Sequence, residues 1–194
     1  MYRYFKRFLD IVLSAAGLLV LSPILLVIAI AIKLDSKGPV LFKQKRVAKG
    51  KEHFQILKFR TMYADVPKDV PTHLLADPES KITKIGRFLR KSSLDELPQI
   101  WNILVGEMSI IGPRPALWNQ FDLIAERDKY GANDVRPGLT GLAQVMGRDE
   151  LPIEVKAKYD GEYAQNVTFA NDVKIFFKTI TSVLGAKGVK EGKQ

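Results

Sequence analysis

The chain contains no cysteine and only two histidines, His53 and His73, among its 194 residues. Without cysteine there is no disulfide, no thiolate metal site and no cysteine nucleophile. Two histidines cannot supply a multi-histidine zinc site. Acidic residues are outnumbered, with 21 Asp and Glu against 30 Lys and Arg and a formal net charge of +9. This excess predicts an anionic partner: inner-leaflet lipid, the phosphates of a substrate, or nucleic acid.

Charge is missing altogether from the apolar run that extends from Ile11 to Ile32. At about 1.5 Å per residue this run is long enough to cross a hydrocarbon core. Ser22 and Pro23 interrupt it near the middle, and they predict a sharp kink because proline has no N–H and its ring clashes with a preceding carbonyl. The alternatives are a signal peptide, whose apolar region is shorter, and a buried core helix, which is rarely this long and apolar in so small a chain.

Both flanks of this run are basic, whereas a spanning helix usually shows a Lys/Arg bias toward one side. The cations before it are Arg3, Lys6 and Arg7, and those after it are Lys33, Lys37, Lys43, Lys45 and Arg46. We therefore expect residues 1–34 to form a re-entrant helix-break-helix hairpin that enters the membrane and returns to the cytoplasmic face. Residues 35–194 are expected to form a compact cytoplasmic domain.

The fold class predicted for this domain is α/β, mostly helical with a small sheet, since about 160 residues are enough for one core. Strands are predicted at 40–42, 54–59 and 108–111, a proline-containing loop at 63–81 and a turn-rich segment at 131–141. Helices are predicted at 84–104 with a kink at Pro98, and at 116–129, 153–163 and 171–184.

The last of these helices carries an apolar stripe with Lys174 and Lys178 beside it. The stripe consists of Val173, Phe176, Phe177, Ile180, Val183 and Leu184. It indicates either packing against the domain or a basic amphipathic helix that lies on the membrane surface, and the sequence leaves both interpretations open.

Two adjacent acids, Asp95 and Glu96, follow Ser93 in the segment 91–99. Ser93 and Glu96 match a capping box, and acids are favoured in a first helical turn, so one interpretation is purely structural. The other is catalytic. Neighbours on a helix do not face each other, so the two carboxylates would not share one proton. One could hold a divalent cation while the other approaches a phosphorus atom.

Three basic clusters offer the opposite charge. Lys58-Phe59-Arg60 ends a predicted strand, Arg114 lies between Pro113 and Pro115, and Arg136 precedes the tight turn 137–141. The planar guanidinium of arginine binds phosphate oxygens in pairs, and a glycine-rich turn can form a small anion-binding nest.

With these motifs the chain resembles the bacterial sugar transferase family of small monotopic phosphoglycosyl transferases. The resemblance covers almost the whole chain. It rests on the Ser22-Pro23 break and on four motifs at 58–62, 93–99, 112–115 and 136–141. Two departures affect the nucleotide-sugar contacts rather than the reaction class. Ala48 replaces a glycine that often follows the element Gln44-x-Arg46, and Met146 replaces the usual asparagine before Gly147-Arg148.

The resemblance implies that a UDP-sugar gives its phospho-sugar to a polyprenyl phosphate such as undecaprenyl phosphate, releasing UMP and initiating glycoconjugate or polysaccharide assembly at the bacterial inner membrane. Asp95 is expected to be the nucleophile, and Glu96, together with Asp95, to bind Mg²⁺, a hard cation suited to oxygen ligands. The candidate substrate- or phosphate-binding residues are Lys58, Arg60, Arg90, Arg114, Arg136, Gln144 and Arg148. Arg90 could alternatively bind a lipid headgroup.

The competing class is a non-catalytic, membrane-anchored basic module that binds anionic lipid or nucleic acid. Nucleic acid is disfavoured because the chain lacks a basic surface interleaved with aromatic residues. A direct one-step transferase is a third interpretation, and it predicts no covalent adduct. The sequence is compatible with a monomer or a homodimer and with more than one UDP-sugar.

Overall fold

The computed structural model describes residues 2–66, 77, 79–147 and 151–184. Its described part is mostly helical, with two small two-stranded sheets. The strands are β1 (Leu41–Val47), β2 (His53–Phe59), β3 (Ser109–Ile111) and β4 (Gly138–Thr140). The helices are α1 (Tyr2–Asp35), α2 (Lys84–Ser92), α3 (Gln99–Val105), α4 (Phe121–Asp128), α5 (Leu142–Met146), α6 (Ile153–Gln165) and α7 (Phe169–Leu184).

The first sheet is an antiparallel hairpin in which Leu41 pairs with Phe59 and Val47 with His53. The prediction placed the first strand at 40–42, but it continues to Val47. Its later residues are mostly polar, so hydrophobicity does not reveal them, yet Gln44 and Val47 are buried, on opposite faces of the strand. Phe54 and Ile56 of β2 pack with α3 and with Met108, which places this hairpin against the centre of the domain.

The second sheet joins β3 and β4 in parallel, and β4 lies inside the segment predicted as turns. The strand predicted at 108–111 is confirmed as β3, whereas β4 is three residues long and too short for a period-2 pattern to be recognised. The backbone of Gly112 lies directly against Gly138 and against the carbonyl of Arg136. A Cβ at either glycine would collide with backbone atoms. The segments that contain Gly112 and Gly138 can therefore pack this closely only because both residues are glycine.

The segment predicted as one helix over 84–104 is two helices. The chain turns at Ser93, which has a left-handed φ of 57°, and a single 3₁₀ turn, Leu94–Glu96, separates α2 from α3. The predicted kink at Pro98 is wrong. Pro98 is the cap residue of α3, where its missing N–H is not needed. The helix predicted from 116 begins only at Phe121, since Leu117 forms a bridge with Arg46 of β1.

The apolar run forms one helix, α1, of 34 residues, and the helix passes through Ser22 and Pro23 without a gap. The hydroxyl of Ser22 donates to the carbonyl of Leu19 at 2.8 Å, one of the carbonyls near the proline. Among the described residues α1 is the one helix long and apolar enough to cross a membrane, judged by length and composition alone. Its middle is exposed, with Leu19 77% and Val20 72% accessible.

Both ends of α1 contact the rest of the described domain through hydrogen bonds and apolar packing. Near its start, Tyr2 and Lys6 donate to the carboxylate of Asp172 in α7 at 2.6 and 2.8 Å. Arg7 donates to the carbonyls of Ile103 and Leu104 in α3 at 2.6 and 2.8 Å. Near its end, Ile28 and Ile32 pack with Phe59 of β2 and Leu89 of α2, and Asp35 accepts from the amide of Ile85.

Helix α7 does not bury its predicted apolar stripe. Its buried face carries Asp172 and Ile175, whereas Phe176, Phe177 and Ile180 are 49%, 61% and 40% exposed. The side chains of Val183 and Leu184 are outside the described residues. Packing of this stripe against the domain is therefore ruled out for the three large side chains that are described. Most of the loop predicted at 63–81 also lies outside the described residues.

We expect Gly138→Ala to destabilise the protein by about 3 kcal/mol or more, because the new Cβ would overlap backbone atoms of Gly112 and Thr140 that cannot rotate away. The measurement is thermal unfolding of the purified chain in detergent. Gly17→Ala is the control, since a Cβ there would lie 3.9 Å from the side chain of Ile100, an ordinary contact. Equal unfolding temperatures for the two variants would contradict this account of the sheet.

Candidate active site

The two adjacent acids lie on the 3₁₀ turn Leu94–Glu96, between α2 and α3. The turn exists because Ser93 adopts a left-handed conformation, which ends α2 and redirects the chain. Both carboxylates are partly exposed. As neighbours on a tight turn, Asp95 and Glu96 point in different directions and meet different partners.

The capping-box interpretation of this segment is wrong. The side chain of Ser93 makes no cap hydrogen bond, and the amide of Glu96 donates to the backbone carbonyl of Ser93 at 3.3 Å. The carboxylate of Glu96 does not reach back to the backbone. It is held by two cations from elsewhere in the chain, so its position is set by tertiary structure and not by helix capping.

Glu96 forms a double ion pair. Lys58 Nζ and Arg114 Nη2 both lie 2.7 Å from Glu96 Oε1, and Arg114 Nη1 lies 3.4 Å from Oε2. Burial would raise the pKa of Glu96, but the charges and hydrogen bonds of Arg114 and Lys58 outweigh it and hold that pKa well below its usual range. Burial lowers the pKa of Lys58, an effect that Glu96 opposes. Glu96 is therefore an ionised carboxylate shared by two cations.

Asp95 has the opposite character. Its carboxylate makes no hydrogen bond or ion pair with the described part of the chain. Burial raises its pKa above the ordinary value, and the charge of Glu96 adds to the rise, while Lys58, Arg90 and Arg114 oppose it. An aspartate that is partly buried, lacks hydrogen-bond donors and faces three cations is available to react with an anionic electrophile.

Lys58 is positioned by a polar bridge between β2 and α3. Asn102, which is 1% exposed, accepts from the amide of Leu57 at 3.0 Å and donates to the carbonyl of Gln55 at 2.9 Å. It also donates to the carboxylate of Glu107 at 2.7 Å. Asn102 hydrogen-bonds the backbone of both Gln55 and Leu57 in β2. It therefore fixes the position of this strand along α3, and hence the position of Lys58 beside Glu96.

Arg114 is positioned through hydrogen bonds to its backbone and to that of Pro115. The guanidinium of Arg127 donates to the carbonyl of Arg114 at 2.9 Å and to Oδ2 of Asp160 at 2.6 and 2.8 Å. Arg127 and Asp160 are almost fully buried. On the other side, Arg46 donates to the carbonyl of Pro115 at 3.0 Å and to the side-chain oxygen of Gln44 at 2.6 and 3.1 Å. Arg127 and Arg46 thus fix the backbone at two successive carbonyls, those of Arg114 and Pro115.

Sequence reasoning did not identify four of these positioning residues as part of the site: Gln44, Arg46, Asn102 and Arg127. A signal existed for the first two, since the element Gln44-x-Arg46 belongs to the family pattern. None existed for Asn102 or Arg127, because an asparagine or an arginine in a short helix is ordinarily solvated.

The structure brings Lys58, Arg90 and Arg114 to the acid pair. Arg90 also donates to the hydroxyl of Thr61 at 2.9 Å. Arg60 is directed elsewhere. It is 4% exposed, and its guanidinium donates to the carbonyls of Pro39 and Ser36 at 2.6 and 2.9 Å and to the hydroxyl of Ser36 at 2.6 Å. These bonds fix the turn that follows α1, so Arg60 supports the fold next to the site.

Three further candidate residues are not part of this cluster. Arg136 donates to the carbonyl of Gly106 at 3.0 Å and lines a separate cleft. Gln144 donates to the carbonyl of Leu139 at 3.1 Å, and its side-chain oxygen is buried without a hydrogen bond to the described residues. Arg148 lies outside the described residues.

Within the residues that the structure describes, no cluster of three or more acidic or histidine side chains could enclose a metal ion. The oxygens nearest to such a role are those of Asp95 and of Glu96 Oε2, the latter in only a long contact with Arg114. Mg²⁺ is typically bound by one or two carboxylates together with substrate phosphates. The donor set therefore fits Mg²⁺ when a diphosphate supplies further oxygens.

Residues 1–186 match the family described as bacterial sugar transferase, and the chain belongs to this family. It is 42% identical over 188 residues to a UDP-glucose:undecaprenyl-phosphate glucose-1-phosphate transferase of Caulobacter vibrioides, covering 92% of this chain and 69% of that protein. It is 38% identical over 195 residues to a UDP-N-acetylgalactosamine-undecaprenyl-phosphate N-acetylgalactosaminephosphotransferase of Aeromonas hydrophila, covering 97% of this chain and 46% of that protein.

An undecaprenyl-phosphate galactose phosphotransferase of Salmonella typhimurium is 34% identical over 200 residues, which cover 96% of this chain and 42% of that protein. The chain thus spans less than half the length of the Aeromonas and Salmonella relatives that it matches. The resemblance predicted from the motifs is confirmed at the level of the family.

We expect Glu96→Gln to destabilise the protein by about 2 kcal/mol, less than a fully buried ion pair, because Lys58 and Arg114 lose their shared counter-charge while remaining partly solvated. A depressed carboxylate pKa contributes stability that is present above the ordinary value of 4.5 and is lost only as the pH falls through the lower folded value. The deficit should therefore persist from pH 8 to pH 4.5 and narrow in stronger acid, as followed by thermal unfolding.

Glu126→Gln is the matched control, because Glu126 pairs with the largely exposed Lys129 and its loss should change the unfolding temperature little. A variant of Glu96 that unfolds like this control at every pH would show that the double ion pair does not hold the site together.

Proposed function

We propose that this protein is a phosphoglycosyl transferase that moves a phospho-sugar from a UDP-sugar to polyprenyl phosphate through a covalent intermediate on Asp95. The observation that carries the proposal is the contrast between the two acids. Glu96 is ionised and held by two cations, whereas Asp95 accepts no hydrogen bond from the described residues and faces the same cations. The names of the relatives support this class of substrates.

In the first step, a carboxylate oxygen of Asp95 attacks the β-phosphorus of the UDP-sugar. A bond forms between Asp95 and phosphorus as the bond from phosphorus to the bridging oxygen breaks, and UMP leaves with the electron pair. Arg90 and Arg114 are placed to neutralise the phosphoryl oxygens, since both act electrostatically on Asp95. In the second step, a phosphate oxygen of the polyprenyl phosphate attacks the same phosphorus and releases Asp95.

Mg²⁺ belongs to the proposal through the carboxylates of Asp95 and Glu96. When bound with the diphosphate, the ion would supply positive charge that offsets the repulsion between an anionic nucleophile and an anionic substrate. Lys58 has a different task. By holding Glu96 Oε1 together with Arg114, it fixes the position of the second carboxylate, and this arrangement needs no ligand.

We further propose that α1 is a re-entrant membrane segment and not a spanning one. Its two ends bond to the same body, through Asp172, Ile103 and Leu104 at the start and through Ile85 and Leu89 at the end. Its exposed apolar middle contains the proline. A segment anchored at both ends to one side of the membrane enters and leaves through the same face.

The proposed location is the cytoplasmic face of the bacterial inner membrane. Residues 1–34 form the membrane hairpin, with both of its ends at the cytoplasmic surface, and residues 35–194 form the catalytic domain. The exposed side chains of Phe176, Phe177 and Ile180 on α7 suit an amphipathic helix at the interface. The site would then lie where a soluble nucleotide-sugar and a lipid phosphate can both reach it.

The nucleophile is tested by incubating the enzyme with UDP-sugars and no acceptor. A single burst of UMP equal to the enzyme concentration, with a phospho-sugar retained on the protein by mass spectrometry, is expected, and polyprenyl phosphate should discharge it. Asp95→Asn should lower turnover by orders of magnitude, because the amide lacks the anionic oxygen. Asp122→Asn, a change of an exposed acid outside the site, is the control.

Stability separates this role from a structural one. A raised carboxylate pKa means that the folded state disfavours the ionised form, so ionised Asp95 opposes folding at neutral pH. Asp95→Asn should therefore unfold at the same or a higher temperature than the wild type. Adduct formation should fall as the pH drops through the raised pKa of Asp95. An Asp95→Asn protein with near wild-type transfer would end the mechanism, and turnover without an adduct would favour the one-step reaction.

The topology is tested with single cysteines, which the cysteine-free chain makes simple. Tyr4 and Leu34 are 85% and 84% exposed at opposite ends of α1. Tyr4→Cys and Leu34→Cys should both react with a membrane-impermeant maleimide only from the cytoplasmic side. Replacing Ser22 and Pro23 with Leu and Ala should favour a spanning helix, in which one of the two becomes periplasmic. Labelling of the unmodified segment from opposite sides would refute the hairpin.

A further inference from the structure

A cleft of about 460 Å³, its open mouth included, lies beside the first turns of α1. It is bounded by α1, β3, the connection between β1 and β2, and the segment before β4. Its charged lining comprises five cations and two carboxylates: Arg3, Lys6, Arg7, Lys49, Arg136, Asp10 and Asp134. None of the cations that act on Asp95 or Glu96 belongs to this lining. The cleft is thus a basic site separate from the acid pair.

Part of this lining is occupied by the fold. Lys6 is paired with Asp172, Arg7 donates to two carbonyls of α3, and Asp10 accepts from the amide of Ile110 at 3.0 Å. These groups build the wall of the cleft. They fix the first turns of α1 against β3 and α3, so the cleft is preformed.

The other cations are available. Arg3 and Lys49 are exposed and make no hydrogen bond or ion pair with the described residues, and Arg136 uses only its Nε, which donates to the carbonyl of Gly106 at 3.0 Å. The positive charge of Arg136 also acts on Arg7, so the fold holds two guanidinium groups near each other. Burial and the charge of Arg136 lower the pKa of Arg7, and the carboxylate of Asp10 opposes this effect. Like charges held together are favourable only where enough negative charge lies beside them, and the cations of this cleft outnumber its carboxylates.

A second observation comes from the floor of the cleft. Ser109 is one of its lining residues and is only 1% exposed, and its buried hydroxyl forms no hydrogen bond to the described residues. Buried hydroxyl groups without a partner are rare because the lost hydration is unfavourable. This hydroxyl is therefore a donor beside a basic cleft, and no acceptor among the described residues receives its hydrogen.

We propose that this cleft is an anion-binding site for a phosphate monoester or diester group, received by Ser109, Arg136, Arg3 and Lys49. Phosphate oxygens match the available donors, since arginine binds them in pairs and a hydroxyl can donate to a third oxygen. The source is a lipid headgroup or a free phosphate compound. A lipid can approach because Tyr4, Phe5 and Phe8, on the neighbouring faces of the same helix turns, are 85%, 50% and 60% exposed.

The first experiment uses Ser109→Ala in the full chain in detergent, titrated calorimetrically with inorganic phosphate and with the soluble diester dihexanoyl phosphatidylglycerol. A hydroxyl that serves only the fold would not affect anion binding. We expect Ser109→Ala to unfold at the same or a higher temperature, because it removes an unpaired buried hydroxyl, and to bind the anion several-fold more weakly.

The second experiment compares two double variants with the same loss of charge. Arg3→Gln with Lys49→Gln removes two cations of the cleft, and Lys51→Gln with Lys158→Gln removes two exposed lysines that do not line it. The first pair should weaken binding of the anion roughly tenfold or more, as expected for losing charge-assisted hydrogen bonds, and the second should leave it within about twofold.

The third experiment distinguishes the sources. Native mass spectrometry counts the lipids retained when the full chain is incubated with phosphatidylglycerol or with phosphatidylcholine. Selective retention of phosphatidylglycerol that the cleft variants lose identifies a lipid headgroup, whereas loss of inorganic phosphate binding alone identifies a free phosphate. Either result supports the site. Binding of neither anion, or equal losses in the cleft variants and the lysine control, would overturn the proposal, and none of these outcomes depends on the transfer activity.

Discussion

At the site, three distant segments of the chain meet at the carboxylate of Glu96. Lys58 comes from the end of β2, Glu96 from the turn after α2, and Arg114 from the segment after β3. Each of these charges would be unfavourable at its present burial without the others. The surrounding polar contacts follow from this constraint. Asn102 sets the height of β2, and Arg127, paired with the buried Asp160, sets the backbone at Arg114.

The same arrangement explains how two neighbouring acids acquire different chemistry. Both are partly buried and both face cations, but only Glu96 receives hydrogen bonds from them. The pKa of Glu96 is therefore lowered, and that of Asp95 is raised. A pair of titratable groups whose surroundings separate their pKa values is a common mark of divided roles in catalysis. Here the difference comes from a 3₁₀ turn that aims adjacent side chains at different partners.

Helix α1 is part of the same folded core as the site. A hydrophobic segment that only anchored the protein would need no specific contacts, whereas α1 is bonded at its start to α3 and α7 and at its end to α2 and β2. The helix therefore contributes to the same core that positions Lys58, because Ile28 and Ile32 pack against Phe59, the next residue along β2. The packing of α1 and the geometry of the site are coupled through this shared core.

Sequence alone determined the features whose physical cause is local. The length of the apolar run, the strand at 54–59, most of the helices and the motifs that identified the family depend on hydrophobic periodicity, on proline and glycine, and on residue order. It also drew attention to the acid pair and the cations Lys58, Arg90 and Arg114, through their combination in one chain and through the motifs that resemble the family.

Tertiary structure decided the rest. No local sequence pattern distinguishes Arg60, which is buried and donates to backbone carbonyls, from Arg114, which pairs with Glu96. The capping box at Ser93 and the kink at Pro98 followed local preferences that a left-handed turn at Ser93 and distant ion pairs overrode. The parallel pairing of β3 with β4 needs backbone contact between Gly112 and Gly138, which lie 26 positions apart in the sequence. Contacts of this kind are decided by which segments the whole fold brings together, since the free energy that selects them comes from burial and charge pairing between residues far apart in sequence.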